Sequence, residues 1–326
     1  MSGVTVIIPL LNRERFIAEA IQSVLDQQFA GTLEIIVSDD GSTDNGVDIA
    51  RSFGSPVKVL LKPESDSRRS ASGARNRGIE AATQSYISFL DSDDYYLPGH
   101  LNKIVALMDA NPEAGFAFSR SKELRNIRGK WIDFPWTHSR VTARDKAYLF
   151  LSRNYVVNTN VFLIRTEIFG NIGFFNRNFV YGEDCDMWIR ISEQYKGLFA
   201  DHFGAVYRTN HGVGEQQSCD PAAEIRKCAL QIYISALERC QSHTLRDEYR
   251  EFSLMVYIAR IQFRSEFRLY YFVKLIKLLL KNPRLFSIKI YDYLSKIFKK
   301  AKIDSFFFFC QLRKLLWEKS ASIFSR

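Results

Sequence analysis

Residues Val4–Gln27 read VTVIIPLLNRERFIAEAIQSVLDQ, and this run decides the fold. Val4–Pro9 is a continuous β-branched stretch, the pattern of a strand buried on both faces. From Glu14 to Gln28 the apolar residues Phe16, Ile17, Ala20, Ile21, Val24 and Leu25 recur at helical spacing. The alternation then repeats. Leu33–Ser38 (LEIIVS) reads as a second buried strand, Asp44–Phe53 as a helix and Val57–Leu61 as a third strand. Gly73–Ala82 reads as a short helix and Tyr86–Leu90 (YISFL) as a fourth strand. Strands alternating with helices predict an α/β fold, a mostly parallel sheet with helices on both faces. Ligands of such sheets bind beyond the carboxyl ends of the strands. Polar clusters stand at those ends here: Pro9–Asn12, Asp39–Ser42 and Asp91–Asp94.

Further along, residues 114–208 alternate more weakly. Tyr155–Ile164 and Gly197–Tyr207 are strand-like, and Gly182–Tyr195 has helical period. After Asp220 the texture is helical, over Ala222–Arg239, Leu245–Arg264 and Phe267–Lys281. The loop HGVGEQQSCD places a boundary near 210–222, so the expected domains are 1–215 and a helical 216–326. No internal repeat is visible.

The chain has 326 residues, 46% of them hydrophobic and 25% charged, which excludes disorder and collagen-like sequence. Its net charge of +9 is uneven. Residues 221–326 hold 21 Lys and Arg against 9 Asp and Glu, and residues 1–220 hold 24 against 27. The five cysteines form no CxxC pair, which points to reduced thiols in a cytoplasmic setting. The start of the chain lacks a basic n-region, and no run of about 18 uncharged apolar residues occurs, so neither a secretory signal nor a membrane span is expected.

Four short segments carry chemistry. In Asp91-Ser92-Asp93-Asp94, carboxylates spaced by one residue at a strand end suit a hard divalent cation; the bland alternative is a solvated acidic turn. In Asp39-Asp40-Gly41-Ser42-Thr43-Asp44, a strand-end carboxylate can accept an N–H from a nucleobase; a turn with Asp44 as helix cap is the alternative. Ser72–Gly78 puts Arg75 at a helix start, which suits anions or is simply a basic exposed turn. In Gly182-Glu183-Asp184, adjacent acids open an apolar helix, where one can act as a general base or merely complement the helix dipole.

Together, VTVIIPLLNRERFIAEAIQSVLDQ, EIIVSDDGSTD, SGARNRGI, YISFLDSDDYY and GEDCDMWIRIS resemble, in order and spacing, the family 2 inverting glycosyltransferases with a GT-A fold. The resemblance covers roughly residues 3–210. It implies a nucleotide-sugar donor, most often UDP-linked, bordered by Pro9 and Leu11, with Asp40 bonding the base and Arg75 contacting the nucleotide. It implies that Asp91 and Ser92 lie against the donor, and that Asp91 and Asp93 hold Mn²⁺ or Mg²⁺. Asp184 matches the family's catalytic base, and Trp188 would pack nearby. His211 resembles a downstream element that touches metal or phosphate. No Q-x-x-R-W stretch is present, which favours single sugar addition over polymer synthesis. The implied acceptor is a cell-surface polysaccharide, lipopolysaccharide or lipid-linked glycan precursor. Two other readings are a sugar nucleotidyltransferase, which usually carries a Gly-rich loop where Pro9–Arg13 stands, and a catalytically silent membrane-associated scaffold.

Residues 267–326 hold 14 Lys and Arg against 3 Asp and Glu, with 14 aromatics interleaved. Leu269, Phe272, Val273, Ile276, Leu279 and Leu280 share a helical face opposite Lys274, Lys277 and Lys281. Such basic amphipathic helices suit an anionic membrane surface at the cytoplasmic face. Packing on the catalytic domain is the alternative, and no motif suggests nucleic acid.

Overall fold

A computed structural model describes residues 1–134, 158–209 and 221–239. The chain divides into two compact units, Met1–Cys228 and Ala229–Arg326. Of the second, only 229–239 lies among the described residues. His211, the loop 210–220 and the basic segment 267–326 lie outside them.

The first unit is built on one sheet. Its strands are β1 (Val4–Leu10), β2 (Leu33–Asp39), β3 (Val57–Leu60), β4 (Tyr86–Phe89), β5 (Tyr95–Tyr96), β6 (Ala114–Ile127), β7 (Lys130–Phe134), β8 (Phe162–Arg165) and β9 (Lys196–Thr209). The order is β3-β2-β1-β4-β8-β6-β9-β5, with β7 hairpinned onto β6. Strands β3, β2, β1 and β4 are parallel, as the alternation with helices predicts. Beyond β4 the sheet is mixed. β8 runs antiparallel to both β4 and β6, while β9 runs parallel to β6. The carboxyl ends of β1, β2, β4, β6 and β9 therefore share one edge with the start of β8.

The helices are α1 (Ile17–Leu25), α2 (Gly46–Ser52), α3 (Ala71–Ala81), α4 (His100–Asp109), α5 (Ile168–Ile172), α6 (Glu183–Gln194) and α7 (Pro221–Arg239). Nearly every residue of β1 and all of β4 are buried, so both sheet faces are covered there. α3 packs on β1 and β2, and α4 packs on β6 and β9. A Cβ on Gly78 would lie 2.4 Å from Ile7 Cγ2, so glycine is what allows α3 to approach β1 this closely.

Two local readings shift. α1 starts at Ile17 rather than Glu14, because the amides of Phe16 and Ile17 both donate to Arg13 O in a turn, and the amide of Glu14 donates to Asp44. The strand expected over Tyr155–Ile164 starts only at Phe162, because Thr159–Val161 is a 3₁₀ turn capped by the Asn158 side chain.

Candidate active site

The loop after β1 turns at Asn12, whose φ of 52° lies in the left-handed region that asparagine tolerates. It is stapled to the loop after β2. The Asn12 amide donates to Ser42 Oγ at 3.0 Å, and Asn12 Oδ1 accepts from Thr43 N at 2.8 Å. Asp39 closes the second loop by accepting from the amides of Gly41 and Ser42. Asp40, also buried, accepts from Ser70 N at 2.5 Å and Arg77 Nη2 at 3.1 Å. Burial pushes its pKa up, against the Arg77 and Ser70 bonds. Pro9 sits in β1 opposite Ser38, and the Leu11 carbonyl accepts from Arg13 Nη1.

Helix α3 begins with a side-chain cap, Ser70 Oγ accepting from Gly73 N at 3.0 Å. Its residues 75, 76 and 77 then reach three different places. Arg75 donates through Nη2 to Asp91 Oδ1 at 2.7 Å and through Nη1 to Glu183 Oε1 at 2.8 Å. Asn76 clamps the backbone of Phe175 with its side-chain amide, Nδ2 donating to Phe175 O at 3.0 Å and Oδ1 accepting from Phe175 N at 2.9 Å. Arg77 joins Asp40 to Asp66. The polar loop 63–72 is thereby tied down, since Arg177 also donates to Asp66.

After β4 the acids separate by role. Asp94 is fully buried and accepts from Asn160 Nδ2 at 2.6 Å and Arg208 N at 2.7 Å. Asn160 Oδ1 accepts from Asp91 N at 2.7 Å, so one asparagine fixes both ends of the acidic run. Ser92 is buried between them. Asp93 Oδ2 accepts from Arg13 Nε at 2.8 Å. Burial, then Asp93 and Asp91, raise the Asp94 pKa well above the carboxylate range.

Helix α6 starts after Gly182, whose φ of 74° glycine adopts freely, and carries Glu183, Asp184 and Asp186 in its first turn. Asp184 Oδ1 accepts from Cys185 N at 2.7 Å, and Oδ2 accepts from Thr159 Oγ1 at 3.3 Å. Burial raises the pKa of Asp184 and of Glu183, and the second acid of the pair adds to the rise at Glu183. Arg75 opposes both rises. Burial works against its own charge, but Asp91 and Glu183 outweigh that and hold it cationic. The Trp188 ring stacks on Phe162 at 3.9 Å and 10° between planes, beneath this turn of the helix. The Tyr207 hydroxyl lies in the same field: burial raises its pKa first, and Asp94, Asp91, Asp93 and Asp184 add to the rise.

The edge thus gathers Asp40, Arg75, Asp91, Ser92, Asp93 and Asp184, all singled out from sequence. It adds Arg13 and Asn160, which were not, and sets Glu183, the neighbour of Asp184 in the acidic pair, against Arg75. Arg13 and Asn160 stand in loops whose neighbours in space are set by strand order, so no local pattern marks them. Among the described residues, no group of three or more His, Cys, Asp or Glu is arranged as a ready metal cage. Asp91 and Asp93 nonetheless fit a hard cation by chemistry. Both are carboxylates, both keep partial exposure (27% and 17%), and each already balances a cationic group, a guanidinium.

Residues 5–173 match the family described as Glycosyl transferase family 2. The chain belongs to that family. Among curated family 2 relatives, an uncharacterized glycosyltransferase of Nostoc sp. is 36% identical over 112 residues, 34% of each chain. The GalNAc(5)-diNAcBac-PP-undecaprenol beta-1,3-glucosyltransferase of Campylobacter jejuni is 26% identical over 247 residues, 73% of each chain. The match spans about a third of the length of the first of these curated relatives. Among solved structures, S. aureus TarS 1-349 in complex with UDP-GlcNAc superposes with a TM-score of 0.63 at 18% identity, over 86% of this chain and 80% of that one. A mannosyltransferase of Pyrobaculum calidifontis, in complex with GDP-Man and Mn²⁺, gives 0.54 at 15% identity, over 98% and 86%. These likenesses establish the fold, the mixed Rossmann-like sheet of GT-A glycosyltransferases.

Proposed function

We propose that this family 2 chain moves one sugar from a UDP-sugar to a hydroxyl of a glycan or glycolipid acceptor, with inversion at the anomeric carbon. The observation that carries this reading is the Arg75 bridge. One buried guanidinium holds Asp91, expected at the donor diphosphate, and Glu183, next to the expected base Asp184. Donor end and acceptor end are thus joined through one arginine by two ion pairs. In this reading Asp40 meets the nucleobase and Leu11 borders the nucleoside. Arg75 stabilises charge that grows on the leaving diphosphate. Asp91 and Asp93 would hold Mn²⁺ or Mg²⁺, which supplies positive charge against that diphosphate. Asp184 takes the acceptor proton as the hydroxyl oxygen attacks, and the raised pKa that burial gives it strengthens it as a base. A hydroxyl held by Asp184 attacks opposite the leaving group, and a single displacement inverts the centre.

The C. jejuni relative, whose name specifies an undecaprenol-linked substrate, supports a lipid-linked acceptor. The UDP-GlcNAc complex of TarS supports a uridine donor. The test is a thermal-shift screen of nucleotide sugars with and without Mn²⁺, followed by transfer assays with the stabilising donor. Asp184→Asn is expected to keep donor binding and to lose about 10²- to 10⁴-fold in kcat. Full turnover by Asp184→Asn would remove the assigned base.

A further inference from the structure

Arg13 lies across the mouth of the site. Its guanidinium folds back over its own loop, Nη1 donating to Leu11 O at 3.1 Å and Asn12 O at 3.2 Å. From there Nε reaches Asp93 Oδ2 at 2.8 Å. Leu11 belongs to the nucleoside end of the proposed donor site and Asp93 to the diphosphate end. A donor joining the two ends must therefore pass the Arg13 guanidinium.

The site's two bridging arginines are held differently. Arg75 is 5% exposed at its side chain and is anchored on both sides by Asp91 and Glu183. The Arg13 side chain is 15% exposed, three times as much, and its carboxylate partner Asp93 is partly open as well. Its Nη1 bonds go to main-chain carbonyls of the loop that carries it. Arg13 is the cation that can change partner while its own anchor stays in place. A guanidinium also suits the forked oxygens of a diphosphate better than a point-charged ammonium does.

We propose that Arg13 is a donor-binding residue that works as an exchangeable counter-ion. In the donor-free protein it neutralises Asp93. When a nucleoside diphosphate arrives with its divalent cation, the guanidinium passes to the diphosphate and Asp93 is released to the cation. The proposal rests on the nucleotide-sugar reading above. It accounts for the ion pair at Asp93: that carboxylate is held by Arg13 until the donor comes, while Arg75 keeps its anchors. It also makes cation and donor binding cooperative, because neither ligand alone rearranges both partners.

The distinguishing consequence is a pair of changes of opposite sign. The full chain with Arg13→Gln is compared with wild type by Mn²⁺ binding alone, read by electron paramagnetic resonance, and by calorimetric titration of UDP at saturating Mn²⁺. Loss of the competing guanidinium is expected to tighten Mn²⁺ alone by about threefold or more and to weaken UDP by about tenfold. Arg13→Lys keeps the charge without the fork. It is expected to leave Mn²⁺ binding as weak as in wild type and to weaken UDP by about threefold. A purely structural ion pair would move both affinities in one direction, or neither, and either result overturns the exchange. If the wild type binds no UDP with Mn²⁺, the nucleotide-sugar reading falls and takes the exchange with it. If wild type binds and both variants match it, only the exchange falls.

Discussion

Arg75 Nη1 donates to Glu183 Oε1 at 2.8 Å, joining residues 108 positions apart in the chain. The same guanidinium holds Asp91, so its removal strands two carboxylates at once. Arg75→Leu is expected to cost about 3 kcal/mol or more, the usual consequence of breaking a buried pair from one side. That corresponds to a fall of about 6 °C or more in the unfolding midpoint, read by calorimetry. The double variant Arg75→Leu/Glu183→Gln is expected to recover part of the loss, since one stranded charge is gone. An additive double variant would show that the pair is not coupled.

Asp184 gives a pH-dependent prediction. Its folded pKa is raised, first by burial, despite the opposing Arg75. A carboxylate whose folded value exceeds its unfolded value, near 4, contributes its full stability below that unfolded value. The contribution is lost as pH rises through the raised value, where the fold must hold a buried anion. Asp184→Asn removes that anion. The variant is therefore expected to melt about 2 °C higher than wild type at pH 8, with the gain vanishing toward pH 4. A midpoint equal to wild type at pH 8 would mean that the ionised carboxylate carries no penalty. The same direction of shift is expected to move the acidic limb of the wild-type kcat/KM profile upward from that of an exposed carboxylate.

Gly78 sets the distance between α3 and β1. A methyl group there would lie 2.4 Å from Ile7 Cγ2 and 3.2 Å from Cδ1 of the same fully buried residue. Alanine is worth about 1 kcal/mol to a helix interior, so local propensity alone predicts stabilisation. The close contact opposes it and wins, because Ile7 has no open space to move into. Gly78→Ala is expected to destabilise by about 1–2 kcal/mol net, measured by urea denaturation. It is also expected to weaken UDP binding, because α3 carries Arg75 and Arg77. A more stable variant would show that helix propensity outweighs the contact.

Most residues of the candidate site could be named from sequence because the acids stand where strands stop. Asp40 follows a run of buried residues ending in Asp39, and Asp91 follows Tyr86–Leu90; each location needs only the end of an apolar run. What each acid does was not legible in the same way. Asp91, Asp93 and Asp94 are neighbours in one short run. Yet Asp94 is buried between Asn160 and Arg208 N, while Asp91 and Asp93 stay partly open. Their spacing is identical to that of a solvated turn, and only the Asn160 turn before β8 and the Arg208 end of β9, brought to Asp94, separate them. The weakly alternating region 114–208 was hard to read for a related reason. Its two long strands change register where they pair, so no single period runs through them.

The strand and helix periods of residues 4–90 thus determined a mostly parallel α/β sheet and put Asp40, Asp91 and Asp93 at the carboxyl ends of its strands. Local hydrophobic spacing is enough for that, because it selects each element and the elements share one direction. The partners were decided by tertiary structure alone: Arg13 with Asp93 across 80 positions, Asn160 with Asp91 across 69, and Arg75 with Glu183 across 108. Those contacts depend on the order β1-β4-β8, which arises from how whole elements pack, and ionic partners carry no periodic signal of their own.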